Sequence, residues 1–233
     1  MSLNTLFFGV YPYICLTVFV IGSWIRYDNE QYTWKTDSSM LLSKDNMLLA
    51  SNLFHVGILM LFLGHFAGMV LPHGLWVALG VSDLAHQWLA IWAGLIFGTA
   101  CLVGGVMLWR RRMFNPRIRK NSRRADIFVL SWLLLTLILG LLTIPFSIGH
   151  ANKGDPSVML ALGEWVRSIL VLNPKPELMA QADPIFRAHI FFGLTVFLIF
   201  PFTRLVHILT APFNYAVRAY QIVRTKRPVK SSI

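Results

Sequence analysis

Histidine is the residue type that most strongly suggests chemistry in this chain. Four of its seven histidines fall inside long apolar runs, with His55 and His65 in one run and His189 and His207 in another. An ionisable side chain inside a membrane span is costly and is a functional hypothesis by default. A lone histidine of this kind can simply hydrogen-bond to a neighbouring helix, but four of them on two segments favour a ligand role.

The segments that must position these histidines are predicted membrane helices. Hydrophobic residues make up 56% of the 233 residues and charged residues 13%, with a mean hydropathy of +0.60. A bilayer core needs roughly 20 apolar residues of helix, and five runs have that length. We predict spans at residues 5–25, 47–71, 86–109, 126–146 and 186–210. The expected fold class is an all-α integral membrane protein with five transmembrane helices, in one domain over 1–233.

The distribution of positive charge predicts the orientation. Sixteen Lys and Arg fall in the loops and tail of one side, and three fall on the other. By the positive-inside rule, the N-terminus is outside, and the C-terminus is cytoplasmic with its basic tail, 211–233. The net charge of +11 could suggest nucleic acid, but its clustering beside spans indicates a membrane setting with lipid as the neighbour. No Lys or Arg precedes the first run, so we expect it to remain as a span and not a leader.

This topology gives each histidine a depth. His55 lies toward the cytoplasm and His65, ten residues later, lies about 15 Å further out. The fifth span runs inward, so His189 is exterior and His207, eighteen residues on, is cytoplasmic. Eighteen residues make five turns of a continuous helix, which places both on one face. The predicted pairs, His65 with His189 and His55 with His207, are the axial ligand sets of two six-coordinate haems.

Other residues near the histidines support a haem over its main rival, zinc. Zinc prefers four ligands at one point, whereas these histidines lie at two levels. Small residues that allow close approach to a flat macrocycle accompany them: Gly57, Gly64, Gly68 and Gly193. We predict that Pro201 kinks the fifth span. Cys15 and Cys101 form no redox or haem-attachment motif, so we predict that they only pack.

Two arginines and the remaining histidines complete the set of candidate residues. Arg187 and Arg204 lie within three residues of a predicted ligand and are candidate partners of haem propionates, with interfacial snorkelling as the alternative. His86, beside Gln87 at the outer end of the third span, has the chemistry to hydrogen-bond a quinone head group, with an ordinary polar cap as the alternative. We expect His73 and His150 to be solvated or helix-terminal.

The outward segment 157–172, "SVMLALGEWVRSILVL", is apolar but is too short and too polar in its middle to span the bilayer. We predict that it forms a helix along the outer interface, with a re-entrant segment as the less favoured alternative. The stretch "PHGLWVALGVSD" is predicted to be a short outward turn.

Several sequence blocks carry a resemblance that covers nearly the whole chain. They are "YPYI", "GSWIRYDNEQYTW", "SNLFHVGIL", "GHFAGM", "GLLTIPFS" and "IFRAHIFFGLTVFLIFPFTRLVHI". In these blocks and their histidine spacing, the chain resembles the cytochrome b (gamma) subunit of membrane-bound respiratory nitrate reductase. The resemblance implies two non-covalent b haems, a distal one near the outer face on His65 and His189 and a proximal one on His55 and His207.

The same resemblance implies a function and partners. Menaquinol or ubiquinol would be oxidised near the distal haem, at Gly64 and His65, and this chain has His86 where the family typically has a lysine. Electrons would cross the inner membrane to an iron–sulfur (beta) subunit and a molybdenum-containing catalytic (alpha) subunit on the cytoplasmic side. The alternatives are a di-haem subunit of a sulfite or heterodisulfide type of reductase, and a transporter or anchor without haem.

Overall fold

The computed structural model describes residues 2–34 and 46–210, and every regular element in those ranges is helical. The long helices are α1 (Leu3–Asn29), α2 (Met47–Val70), α4 (Asp83–Phe114), α6 (Arg124–Asn152) and α8 (Pro184–Ile199), and the short ones are α3 (His73–Ala78), α5 (Pro116–Asn121) and α7 (Ser157–Leu170). Five helices are long and apolar enough to cross a membrane, which confirms the predicted number of spans. The predicted basic tail, 211–233, lies outside the described residues.

The long helices pack in the order α2, α4, α6, α8 and α1. Glycines bring α2 and α4 into backbone contact, because a Cβ at Gly57 would lie 2.7 Å from the Cβ of Cys101, and one at Gly104 would lie 2.4 Å from the backbone N of Phe54. Gly57 therefore serves helix packing, and its predicted role beside a haem face is wrong. Cys15 and Cys101 are both buried with free thiols, which confirms that they pack.

Helix α7 is hydrogen-bonded to the N-terminal end of α1, through a carbonyl that has lost its helical donor to a proline. Pro12 has no N–H, so the carbonyl of Phe8, four residues earlier, loses its helical donor, and residues Leu6–Val10 form a π-turn. The indole N–H of Trp165 donates to that carbonyl at 2.8 Å. The predicted short helix in 157–172 is thus confirmed and packs across α1. The predicted turn between the second and third spans contains α3.

The fifth span is interrupted. Helix α8 ends at Ile199, a 3₁₀ turn covers Phe200–Phe202, Thr203 is extended, and a 3₁₀ segment covers Arg204–Thr210. Pro201 cannot donate to the carbonyl four residues back, and its ring collides with it, so the predicted kink is confirmed. The prediction of one continuous helix over 186–210 is wrong, and the five-turn argument for a shared face fails with it.

Candidate functional site

The structure brings His65 of α2 and His189 of α8 together. Their ring centroids are 6.1 Å apart, with the ring planes at 40°. Metal–imidazole bonds of about 2.0 Å put the centres of two axial rings roughly 6.3 Å apart, so the spacing fits one metal between them. Helices α2 and α8 are not neighbours in the packing order, so these two rings approach each other from separate helices.

All four histidines of the predicted spans bind a backbone carbonyl through Nδ1. A carbonyl only accepts, so Nδ1 carries the proton and Nε2 keeps the lone pair that a metal requires. The distances are 2.7 Å for His65, 3.0 Å for His189 and 2.7 Å for His55. The accepting carbonyls are those of Leu61, Thr136, Ser51 and, for His207, Arg204. Each imidazole is therefore oriented by a hydrogen bond from Nδ1 to a backbone carbonyl, as metal-ligating histidines are.

Open space adjoins the histidines on both helices. Among the described residues, a Cβ built at Gly64, next to His65, or at Gly193, one turn after His189, meets no atom within 4 Å. His55 and His65 themselves are exposed side chains of apolar helix α2. Exposed imidazoles beside bare backbone form a cradle of the kind that a flat macrocycle needs.

The wall behind His189 was missed by the sequence reasoning. A Cβ at Gly140 of α6 would lie 2.8 Å from Cε1 of His189, so only glycine lets the imidazole lie against the backbone. The carbonyl of Thr136, one turn earlier, accepts from the same ring. The only sequence signal is a glycine within an apolar run, which by itself indicates helix packing as readily as a ligand contact.

His55 and His207, the other predicted pair, have a different setting. His207 lies in the 3₁₀ segment beyond the break. Arg204, a predicted propionate partner, has its Nε 3.4 Å from Oδ1 of Asp126. Asp126 is 7% exposed and also accepts from Nη1 of Arg112 at 3.3 Å. Asp126 and Arg112, which the sequence analysis did not single out, therefore lie beside this segment.

Arg187, the other predicted propionate partner, lies in the first turn of α8, two residues before His189. Its Nε is buried and has no hydrogen-bond partner within residues 2–34 and 46–210. A buried guanidinium N–H without a partner is costly. This N–H is therefore available to an anionic partner.

His86 lies in a small cleft at the N-terminal end of α4. It is 6% exposed and stacks on Trp76 of α3, with centroids 4.2 Å apart and planes at 21°. A Cβ at Gly68 would lie 3.6 Å from its Nε2, and the cleft wall includes Gly68, His86 and Arg167. A ring so deeply buried is unlike a solvated polar cap.

Further polar contacts lie at the ends of the helices. Nη1 of Arg167, on α7, reaches the carbonyls of Met69 and Leu71 at 3.2 and 3.4 Å. These carbonyls belong to the π-turn Phe66–Val70, directly after His65, and to the residue beyond it. His73 and His150 are confirmed as helix-terminal and pair with Asp83 and Asp183 at 2.7 and 3.0 Å.

Comparison with known proteins identifies the family of this chain. A family model described as nitrate reductase gamma subunit matches residues 4–226. The chain belongs to that family. The respiratory nitrate reductase 1 gamma chain of Escherichia coli (strain K12) is 46% identical over 225 residues, 96% of this chain and 98% of that protein. The respiratory nitrate reductase 2 gamma chain of the same organism is 47% identical over 226 residues, 97% of this chain and 98% of that protein.

The similarity extends to a more distant bacterium. The nitrate reductase gamma chain of Bacillus subtilis (strain 168) is 38% identical over 218 residues, 94% of this chain and 96% of that protein. The resemblance seen in the sequence blocks is confirmed. This nitrate reductase gamma subunit is a membrane subunit of a respiratory nitrate reductase, which favours that assignment over a sulfite or heterodisulfide type of complex.

Proposed function

We propose that this nitrate reductase gamma subunit holds two b haems between α2 and α8, oxidises quinol near the outer face and passes the electrons to cytoplasmic partner chains. The observation that carries the proposal is the His65–His189 pair, 6.1 Å apart with both Nδ1 atoms bonded to backbone carbonyls. The bound haems would supply reversible one-electron chemistry at two depths.

Each haem is assigned its own residues. His65 and His189 would hold the distal haem, and the buried Nε of Arg187 would donate to one of its propionates. His55 and His207 would hold the proximal haem near the cytoplasm, with Arg204 at its propionates. Arg204 fits this role through its charge, although its guanidinium already contacts Asp126.

The quinol site is proposed at Gly64, His65 and His86. Gly64 leaves open space beside His65, and His86 is held in its cleft by stacking on Trp76. A neutral imidazole at His86 would hydrogen-bond a quinol hydroxyl and take its proton as the electrons leave. Because the cleft is at the proposed outer end, both protons would leave outward while electrons move inward, which stores about 2.3 kcal/mol per electron per 100 mV.

The orientation and the partners rest on charge and on the family. The N-terminus would be outside and the helix ends at α4 and α5 cytoplasmic, where Arg111, Arg112, Arg117 and Arg119 lie. A gamma chain implies alpha and beta chains, and we propose that they carry the molybdenum and iron–sulfur centres. The basic surface of α5 would contribute to docking them.

The test is the spectroscopy of each haem in the complete complex. His65→Ala and His189→Ala should each remove the same low-spin b-type signal, and His55→Ala should remove the other. His150→Ala is the matched control, because His150 pairs with Asp183 outside both ligand pairs and should keep both signals. Loss of one and the same signal in His55→Ala and His65→Ala would refute the pairing. A wild-type complex without b-type bands would refute the whole proposal.

A further inference from the structure

The segment that carries His207 is not held by helical continuity. Thr203, with φ −123° and ψ 179°, separates it from α8, and only 3₁₀ turns flank this residue. Short 3₁₀ turns have poor hydrogen-bond geometry and stabilise a segment weakly. The position of His207 must therefore come from tertiary contacts.

The first of these contacts comes from α1. Nη1 of Arg26 donates to the carbonyls of Pro201 and Thr203, each at 2.7 Å. These two carbonyls flank the break, where the hydrogen-bond ladder of α8 has ended. A guanidinium at a helix C-terminus also complements the negative end of the helix dipole. Arg26 therefore fixes the chain direction where α8 stops.

The second contact comes from the start of α6. Asp126 is buried, accepts from Nη1 of Arg112 on α4 at 3.3 Å, and contacts Nε of Arg204 at 3.4 Å. The carbonyl of Arg204 in turn accepts from Nδ1 of His207. Asp126 is thus linked to the imidazole of His207 through one residue, Arg204. This link connects the imidazole to α6, which carries Asp126, and to α4, which carries Arg112.

Apolar packing leaves this segment little freedom between the two contacts. Val206 is fully buried and Leu205 is 7% exposed, both within a cluster that includes Val129 of α6 and Phe200. The cluster fixes the depth of the segment but places no hydrogen bond on the imidazole. Direction and rotation are left to the polar contacts.

We propose that Arg26 and Asp126 form a two-point clamp that positions His207 as a ligand. The proposal rests on the proposed function, because its effect appears at the haem assigned to His207. The two clamp residues have opposite charges, which separates a positional role from a purely electrostatic one. Loss of position weakens the ligand in either variant, whereas charge alone moves the haem potential in opposite directions.

The experiment compares Arg26→Gln with Asp126→Asn in the complete complex. Asparagine at 126 keeps an acceptor for the backbone N–H of Arg123, so the start of α6 is preserved. Low-spin signals and midpoint potentials of both haems are measured. We expect both variants to retain the proximal haem about tenfold more weakly, the range for lost outer-shell partners of metal ligands, with the distal signal unchanged. Arg26→Lys should restore part of the proximal signal.

Asp28→Asn is the matched control. Asp28 is an exposed carboxylate of α1 that accepts from the indole of Trp24 at 2.9 Å, away from the break, so both signals should persist. Full proximal low-spin signals with potentials shifted in opposite directions would overturn the clamp, as would equal loss of both haems. A wild-type complex without either signal would overturn the proposed function and the clamp with it.

Discussion

The two histidine pairs are built into the molecule in different ways. In the His65–His189 pair, both histidines lie on regular helix, and the ring of His189 rests against the backbone of Gly140. In the predicted His55–His207 pair, His207 lies beyond a helix break, where Arg26 and Asp126 bind the surrounding chain. One site is shaped by helix packing, and the other is held by buried charge.

This difference predicts different vulnerabilities. A site lined by close-packed backbone should be sensitive to small increases in side-chain volume, because the packing leaves no room for added atoms. A site held by buried ionic contacts should respond to charge, because removing one partner leaves the other desolvated and unpaired. Substitutions near the His65–His189 pair test the first of these two expectations.

The largest effect is expected for Gly140→Ala. The new Cβ would lie 2.8 Å from Cε1 of His189, whose ring cannot retreat without losing the Thr136 carbonyl. Overpacking of this kind costs about 1–3 kcal/mol, and we expect loss of the distal signal together with quinol oxidation. Low-spin spectra of the purified complex give the readout. Gly149→Ala on the same helix, where the Cβ meets no described atom, should change nothing, and an intact distal signal in Gly140→Ala would contradict the packed wall.

His86→Leu should come next. Leucine keeps the apolar contact with Trp76 but removes the imidazole that we propose as the proton acceptor from quinol. Loss of a general base lowers turnover by about 100-fold or more, while both haem signals should remain after chemical reduction. Steady-state assays with a quinol donor and nitrate measure the loss, and an artificial reductant that bypasses quinol is the control. Equal losses with both donors would place His86 outside the quinol site.

The sequence predicted the five apolar helices because hydropathy is a property of the chain itself. It could not assign Gly57 to the α2–α4 contact or Gly140 to His189, because both depend on how two helices are rotated against each other. Pro201 predicted a kink, but not the extended Thr203. The donor that binds the carbonyls of both residues, Arg26, is contributed by a helix at the other end of the sequence.

Arg167→Gln should have a smaller effect, confined to quinol binding. Its guanidinium holds the carbonyls of Met69 and Leu71 beside the His86 cleft, and hydrogen bonds to charged groups contribute about 1.5–3 kcal/mol. We expect the KM for quinol to rise about tenfold, with kcat and both haem signals nearly unchanged. Arg167→Lys should recover part of the loss. A fall in kcat with unchanged KM would show that Arg167 acts on the chemistry instead.

The smallest effect is expected for Glu164→Gln, at an exposed carboxylate of α7. Lys175 donates to Glu164 at 2.6 Å, and this hydrogen bond lowers the pKa of the carboxyl and raises the pKa of the ammonium. The side chains are 49% and 42% exposed, so solvent screens the pair and little stability depends on it.

The pH dependence of the stability that the Glu164–Lys175 pair contributes follows from the lowered pKa of Glu164. The contribution of Glu164 is present above the ordinary carboxyl pKa and is lost as pH falls through the lowered one. At neutral pH the pair is fully formed, yet the Tm of the Glu164→Gln complex should equal that of the wild type, whereas Asp126→Asn should lower it. Equal losses of Tm in the two variants would show that the burial of Asp126 does not make it more important for stability than the exposed Glu164. That result would contradict the contrast between the two regions.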